Sequence, residues 1–163
     1  MKNSLLTSKK IKCIIFNLDE LVQSTGVKDL LMNLGLPYAV VSIKAKTNME
    51  QLLRIAGLHI FFTEDRIFSS EQLSGSTPGF HIFFHAVRSM GFEPSECAVV
   101  DKSDVGLNLA RKEDFCVFGM NDGSNSIELE NKGVLAFSEF GDLAEFIELF
   151  NEEADLEIKR QQN

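Results

Sequence analysis

The sequence predicts an α/β fold, a three-layer α/β/α sandwich in which helices cover both faces of a mainly parallel sheet. Five short runs are apolar at consecutive positions, which is typical of strands buried on both faces. Segments with apolar residues at helical spacing alternate with these runs along 163 residues, and this alternation predicts parallel strands joined by helical crossovers. The apolar runs are IKCIIF, YAVV, CAVV, FCVF and VLAF.

Four segments have apolar residues at positions i, i+3, i+4 and i+7, which predicts helices with one face against a core. The sets are Val27, Leu30, Leu31, Leu34; Met49, Leu52, Leu53, Ala56; Phe80, Phe83, Phe84, Val87; and Leu143, Phe146, Ile147, Phe150. A glycine follows each of the first three helices at a position typical of a C-terminal cap, namely Gly35, Gly57 and Gly91. Thr47 and Glu50 have the spacing of a capping box at the start of the second helix.

The length fits one domain, residues 1–153, and we expect the polar tail 154–163 to fray. A formal charge of -8 disfavours nucleic-acid binding, which needs clustered Lys and Arg. No apolar stretch approaches the ~20 residues that span a bilayer, and the start lacks the apolar core of a signal peptide. The cysteine count is odd, so we expect buried free thiols and a cytoplasmic location without membrane contact.

Polar residues follow three of the apolar runs. Asn17 and Asp19 follow the first, Ser42 the second, and Asp101 with Lys102 the CAVV run. In open parallel sheets ligands bind beyond the carboxyl ends of the strands. These five residues therefore form the candidate site.

The same segments resemble the motifs of the haloacid dehalogenase superfamily, in particular its β-phosphoglucomutase and phosphoglycolate phosphatase branch. FNLDELVQST resembles the first motif, LPYAVVS the second, STPGFHIFFHAVRSMG the third and CAVVDKSDVG the fourth. The resemblance runs from about Lys12 to Phe150, with the motifs in the family's order. It implies a Rossmann-like sheet of the haloacid dehalogenase type.

The resemblance also implies which residues stand at the catalytic positions. Asn17 stands where the family has its nucleophilic Asp, and Asp19 stands at the position of the general acid and base. Ser42 stands at the phosphate-binding position, and Thr77 replaces the phosphate-binding Lys. An amide is a far poorer nucleophile than a carboxylate, and Thr77 carries no charge, although it could cap the helix that follows Pro78.

At the metal position of the family, this chain has Asp101 and Lys102 instead of two acids. Active relatives bind Mg²⁺, which prefers anionic oxygen ligands, so we expect weak or no metal binding and no cofactor. We also expect the ammonium group of Lys102 to turn towards Asp19 and Asp101, where it would replace the charge of the ion.

Many relatives carry a cap domain between the first and second motifs, but only one short helix fits between Asn17 and Ser42, so we expect an open site without a cap. The favoured hypothesis is that the protein has lost phosphatase activity and acts as a binding or regulatory protein. Its expected partner is another protein or a small anionic ligand. The alternative is a phosphohydrolase with residual or altered activity.

His81 and His85 have the spacing of a metal pair, but with no third ligand evident we interpret them as a solvated helix face.

Overall fold

A computed structural model describes residues 10–73, 75, 81–101, 103, 106, 108, 112–121, 123–124, 126–131 and 133–162. In this part of the chain six parallel strands form one sheet in the order β3-β2-β1-β4-β5-β6. The strands are β1 (Cys13–Asn17), β2 (Tyr38–Ser42), β3 (Ile67–Ser69), β4 (Cys97–Val100), β5 (Cys116–Met120) and β6 (Leu135–Phe137). Strand β3 was not predicted, because three residues between polar neighbours give too short a pattern.

Among the described residues, the helices include α1 (Leu18–Val22), α2 (Val27–Asn33), α3 (Lys46–Ile55), α4 (Ile82–Ser89), α5 (Ser126–Asn131) and α6 (Phe140–Gln162). Of these, α2, α3, α4 and α6 confirm the four predicted helical segments. Gly35, Gly57 and Gly91 all have positive φ angles, of 68°, 73° and 85°. Because this conformation is strained for residues with a Cβ atom, it explains why glycine follows each of these helices.

The sheet separates two hydrophobic clusters, which confirms the three-layer sandwich. One face of β1 contributes Ile14 and Phe16 to a cluster with α1, α2, α3 and α6. The opposite face contributes Cys13 and Ile15 to a second cluster with α4 and Leu129 of α5. Successive residues of a strand point to opposite faces, so a strand buried on both sides must be apolar throughout.

Three details of the sequence analysis are wrong. Helix α3 begins at Lys46 after Ala45, which makes no side-chain capping bond, so Thr47 and Glu50 lie inside the helix. The backbone amide of Lys46 instead donates to Glu71 Oε2 at 3.0 Å, and a side chain from another loop thus satisfies the helix start. Residues 18–37 hold two short helices, α1 and α2, where the sequence analysis allowed one.

The third error concerns the segment after Glu153, which does not fray but continues α6 through Gln162. Ala154 is 4% exposed, and Lys10 Nζ lies 3.2 Å from Asp155 Oδ2. The ion pair joins the second half of the helix to the start of the chain. No helix among the described residues is long and apolar enough to cross a membrane.

Candidate functional site

Strands β1 and β4 are neighbours at the centre of the sheet, where the strand order reverses direction. In open α/β sheets this reversal opens a crevice at the carboxyl ends of the strands, where ligands bind. Asn17 ends β1, and Asp101 directly follows β4. The fold therefore places two of the predicted site residues side by side at this crevice.

The side-chain amide of Asn17 makes two hydrogen bonds. Its Nδ2 donates to Oδ2 of Asp101 at 3.1 Å, and its Oδ1 accepts from the backbone amide of Asp19 at 3.1 Å. The reverse orientation of the amide would bring Oδ1 against the Asp101 carboxylate and the NH₂ group against an N–H. Only the observed orientation suits both neighbours, so the amide is fixed by its surroundings.

Asp101 is almost fully buried, with 1% of its surface exposed. Its Oδ1 accepts from the backbone amide of Ser103 at 2.8 Å, while Oδ2 accepts from Asn17. A Cβ atom on Gly106 would lie 2.9 Å from both the Cβ and the carbonyl oxygen of Asp101. Glycine at position 106 therefore permits the backbone to pass close to the main chain and the Cβ atom of Asp101. This close approach was not predicted from the sequence.

The polar residues at the carboxyl edge share one local geometry. In each, a side-chain oxygen accepts a hydrogen bond from the backbone amide two residues further on, which is an Asx turn or its serine equivalent. Five adjacent strands end in this way, through Asn17 with Asp19, Ser42 with Lys44, Ser69 with Glu71, Asp101 with Ser103 and Asn121 with Gly123, at 2.8–3.1 Å. The polar residue at the end of each of these five strands thus has a structural role in turning the chain.

Ser42 and Ser69 end neighbouring strands and are both buried. Ser42 Oγ accepts from the Lys44 amide at 3.0 Å, and Ser69 Oγ donates to the Lys44 carbonyl at 2.6 Å. Ser70 Oγ adds a bond of 2.9 Å to the Ile43 carbonyl. The loop after β2 is therefore held by serine side chains from two strands, and the predicted phosphate-binding Ser42 is part of this network.

The structure does not bring all the predicted residues to this place. Asp19 is exposed, and its carboxylate has no partner among the residues that the structure describes. Thr77 and Lys102 lie outside the described residues, so the predicted helix cap at Thr77 and the predicted turn of Lys102 towards Asp19 and Asp101 stay predictions. Ser69 and Asn121 were missed, although each is a polar residue at the end of a strand.

The described residues of the site do not fit Mg²⁺. Both carboxylate oxygens of Asp101 already accept hydrogen bonds, and Asn17 presents an NH₂ donor to it instead of an oxygen. A hard cation needs several oxygen ligands that face one point. Within the described ranges, no group of three His, Cys, Asp or Glu side chains could hold a metal ion.

Two surface cavities lie elsewhere, and their described lining residues include none of the candidate site. One of about 410 Å³ lies between the α1–α2 turn and Leu58. The other, of about 480 Å³, is lined by His81, His85 and Arg88 of the α4 segment together with Glu113. The two histidines thus face a surface groove.

Solved structures share this arrangement of sheet and helices. A haloacid dehalogenase-like protein of unknown function from Agrobacterium tumefaciens C58 has a TM-score of 0.67 at 25% identity, over 80% of this chain and 64% of that one. A haloacid dehalogenase family hydrolase from Deinococcus radiodurans R1, with bound phosphate and sodium, has a TM-score of 0.60 at 22% identity, over 73% and 56%. A haloacid dehalogenase superfamily hydrolase from Ehrlichia chaffeensis has a TM-score of 0.65 at 13% identity, over 88% and 99%.

The chain has the haloacid dehalogenase-like fold. Structures of the β-phosphoglucomutase and phosphoglycolate phosphatase types share it too, which confirms the predicted resemblance. This haloacid dehalogenase-like chain spans less than two thirds of the first two proteins and nearly all of the third. No protein-family model matches it, and no curated protein does.

Proposed function

We propose that this haloacid dehalogenase-like protein has lost phosphomonoester hydrolysis and acts as a binding or regulatory protein. The proposal depends on the hydrogen bond between Asn17 and Asp101. In the resembled family an Asp stands at the position of Asn17, and two carboxylates at this distance need a cation between them. An amide can donate to the carboxylate directly, so this pair is stable without metal.

The residue at the nucleophile position also supports the loss of hydrolysis. Attack on phosphorus requires an electron-rich oxygen, and the resemblance gives that position to Asn17. Its Oδ1 carries no full charge and already accepts from the Asp19 amide. The oxygen is therefore both weak as a nucleophile and turned towards the protein backbone.

A small anionic ligand is the expected partner at the crevice, but the donors for it are few. The amides of Asp19, Lys44 and Ser103 all donate to side chains of their own turns. A bound anion would have to displace one of these bonds or use the Ser42 hydroxyl. We therefore expect weak binding, and phosphate is the suitable probe.

The alternative is residual hydrolysis in which Asp19 activates water without a covalent intermediate. One observation favours it, since the Asp19 carboxylate is exposed and unpaired among the described residues. Such a mechanism would need no nucleophile at position 17. It would still need a cation to balance charge on the phosphate, and in this alternative Lys102 is the expected electrophile.

An assay with para-nitrophenyl phosphate and millimolar Mg²⁺ separates the two functions. We expect no release of phosphate above background from a sample in which mass spectrometry shows that Asn17 is not deamidated. Turnover by wild-type protein that Asp19→Ala abolishes would establish the alternative. Asn17→Asp alone should stay inactive, whereas Asn17→Asp with Thr77→Lys and Lys102→Asp rebuilds the nucleophile, the cation and a metal ligand together.

Ligand binding has its own test. Added phosphate should raise the melting temperature of the wild-type protein by a small amount through mass action. The same titration with Ser42→Ala should give a smaller shift. If neither protein responds, the crevice does not bind phosphate, and the regulatory function must use another surface.

A further inference from the structure

Two cysteines lie opposite each other at the amino ends of the central strands. Cys13 begins β1 and Cys97 begins β4, and the two are partners in the register of the sheet. Side chains at paired positions of neighbouring strands point to the same face. Both belong to the cluster between the sheet and α4, and both are fully buried.

The spacing of these strands suits a covalent bond between the two sulfurs. Neighbouring strands lie about 4.8 Å apart, and disulfides join residues whose Cα atoms are about 4.4–6.8 Å apart. A third sulfur belongs to the cluster, since Cys13 Sγ donates to Met90 Sδ at 4.0 Å. Met90 directly follows α4 and is partly exposed, so the sulfur cluster lies beneath the surface at the amino edge of the sheet.

The third cysteine, Cys116, is an internal control for the pairing of Cys13 with Cys97. It begins β5 opposite Ala98 and packs against the cluster on the other face of the sheet. The sheet therefore separates Cys116 from Cys13 and Cys97. A bond between Cys116 and either of them would require the strands to come apart.

We propose that Cys13 and Cys97 form a dithiol modification site, which a small hydroperoxide such as hydrogen peroxide closes reversibly into a disulfide.

The two thiols have different roles in this step. The neighbouring Cys97 thiol lowers the pKa of Cys13, although burial opposes this effect. Cys13 and burial raise the pKa of Cys97. The Cys13 sulfur lies against the partly exposed Met90, so we assign the first attack to Cys13, as its thiolate, which is the form that reacts with peroxides.

The reaction proceeds in two balanced steps. The Cys13 thiolate attacks one oxygen of the peroxide, the O–O bond breaks, and Cys13 becomes a sulfenic acid while hydroxide leaves and takes up the proton that Cys13 gave up. The Cys97 sulfur then attacks the sulfenic sulfur, and water leaves with the Cys97 proton. The two sulfurs lose two electrons in total, and one hydrogen peroxide becomes two waters.

The disulfide would join the strands that also carry the candidate site. Asn17 and Asp101 lie four residues beyond Cys13 and Cys97 on the same two chain segments. A covalent bond at the amino ends would fix the distance between these segments. Oxidation would thus act on the crevice from the opposite edge of the sheet.

The test treats the folded wild-type protein with hydrogen peroxide and follows its intact mass and its peptides. We expect each chain to lose the mass of two hydrogen atoms, to yield a peptide joining Cys13 to Cys97, and to regain free thiols with dithiothreitol. Cys116→Ser should behave like wild type. Cys13→Ser and Cys97→Ser should not form the bond.

A parallel reaction in urea controls for unfolded molecules, since an unfolded chain can form any of the three cysteine pairs. Enrichment of the Cys13–Cys97 pair in buffer relative to urea supports the proposal. Three free thiols in the folded protein after treatment, a disulfide that includes Cys116, or a bond between two chains would each overturn it. Oxygen addition at methionine without loss of thiols would overturn it as well.

Discussion

The side chain of Asn17 joins β1 to the loop after β4 through a hydrogen bond of 3.1 Å between its Nδ2 and Oδ2 of Asp101. The acceptor is a buried carboxylate whose other oxygen is bound by the Ser103 amide. Hydrogen bonds to buried charged groups stabilise more than those between neutral groups. The Asn17 amide therefore stabilises the central crevice, independently of any ligand.

Replacing this amide with a carboxylate should destabilise the protein. Asn17→Asp removes the donor and brings two negative charges together, and we expect the free energy of unfolding to fall by about 1–3 kcal/mol at neutral pH. Urea unfolding of the wild-type protein and of the variant at neutral pH measures this change.

Asn121→Asp is the matched control for Asn17→Asp. Asn121 Oδ1 accepts from the Gly123 amide at 2.8 Å, and an Asp at this position can accept the same bond. We expect a change within about 0.5 kcal/mol. Equal losses in the free energy of unfolding for the two variants would show that the Asn17–Asp101 hydrogen bond does not contribute specifically to stability.

Gly106→Ala should disturb the buried carboxylate without any change in charge. The new Cβ would lie 2.9 Å from the carbonyl oxygen of Asp101, so the backbone must shift. Overpacking of this kind costs about 1–3 kcal/mol. Gly141→Ala in α6 is the control, since nothing lies within 4 Å of its added Cβ, and it should be neutral or stabilising.

Ser69→Ala should weaken the loop that holds the end of β2. Ser69 is fully buried and its hydroxyl both donates to the Lys44 carbonyl and accepts from the Glu71 amide. Loss of a buried partner costs about 1–3 kcal/mol. Ser70→Ala removes one exposed bond to Ile43, and an effect as large as that of Ser69→Ala would contradict the role of burial.

The second half of α6 should contribute to stability although its sequence is polar. Ala154→Asp places a charge against the protein surface at a site that is 4% exposed, and we expect a loss of at least about 1–3 kcal/mol. Glu153→Ala, on the exposed side, should change stability by less than about 0.5 kcal/mol. Thermal unfolding of both variants measures the difference, and equal melting temperatures would mean that this part of the helix packs only weakly.

The sequence by itself determined the layers of this protein. Continuous apolar runs such as CAVV must be buried on both faces, and apolar residues at helical spacing must cover them, so the three-layer sandwich follows from local periodicity. The glycines after α2, α3 and α4 are just as local, because a positive φ angle is a property of one residue. The motif order then predicted the haloacid dehalogenase-like fold.

The tertiary structure alone decided what the polar residues at the carboxyl edge contact. Asn17 and Asp101 are distant in sequence, and only the pairing of β1 with β4 brings the donor to the acceptor. The start of α3 and the length of α6 were misjudged for the same reason. Glu71 from another loop accepts the hydrogen bond of the first amide of α3. Lys10 pairs with Asp155 in the second half of α6, where Ala154 is buried. Periodicity records which face of an element is apolar, whereas a hydrogen bond depends on where a remote segment places its partner.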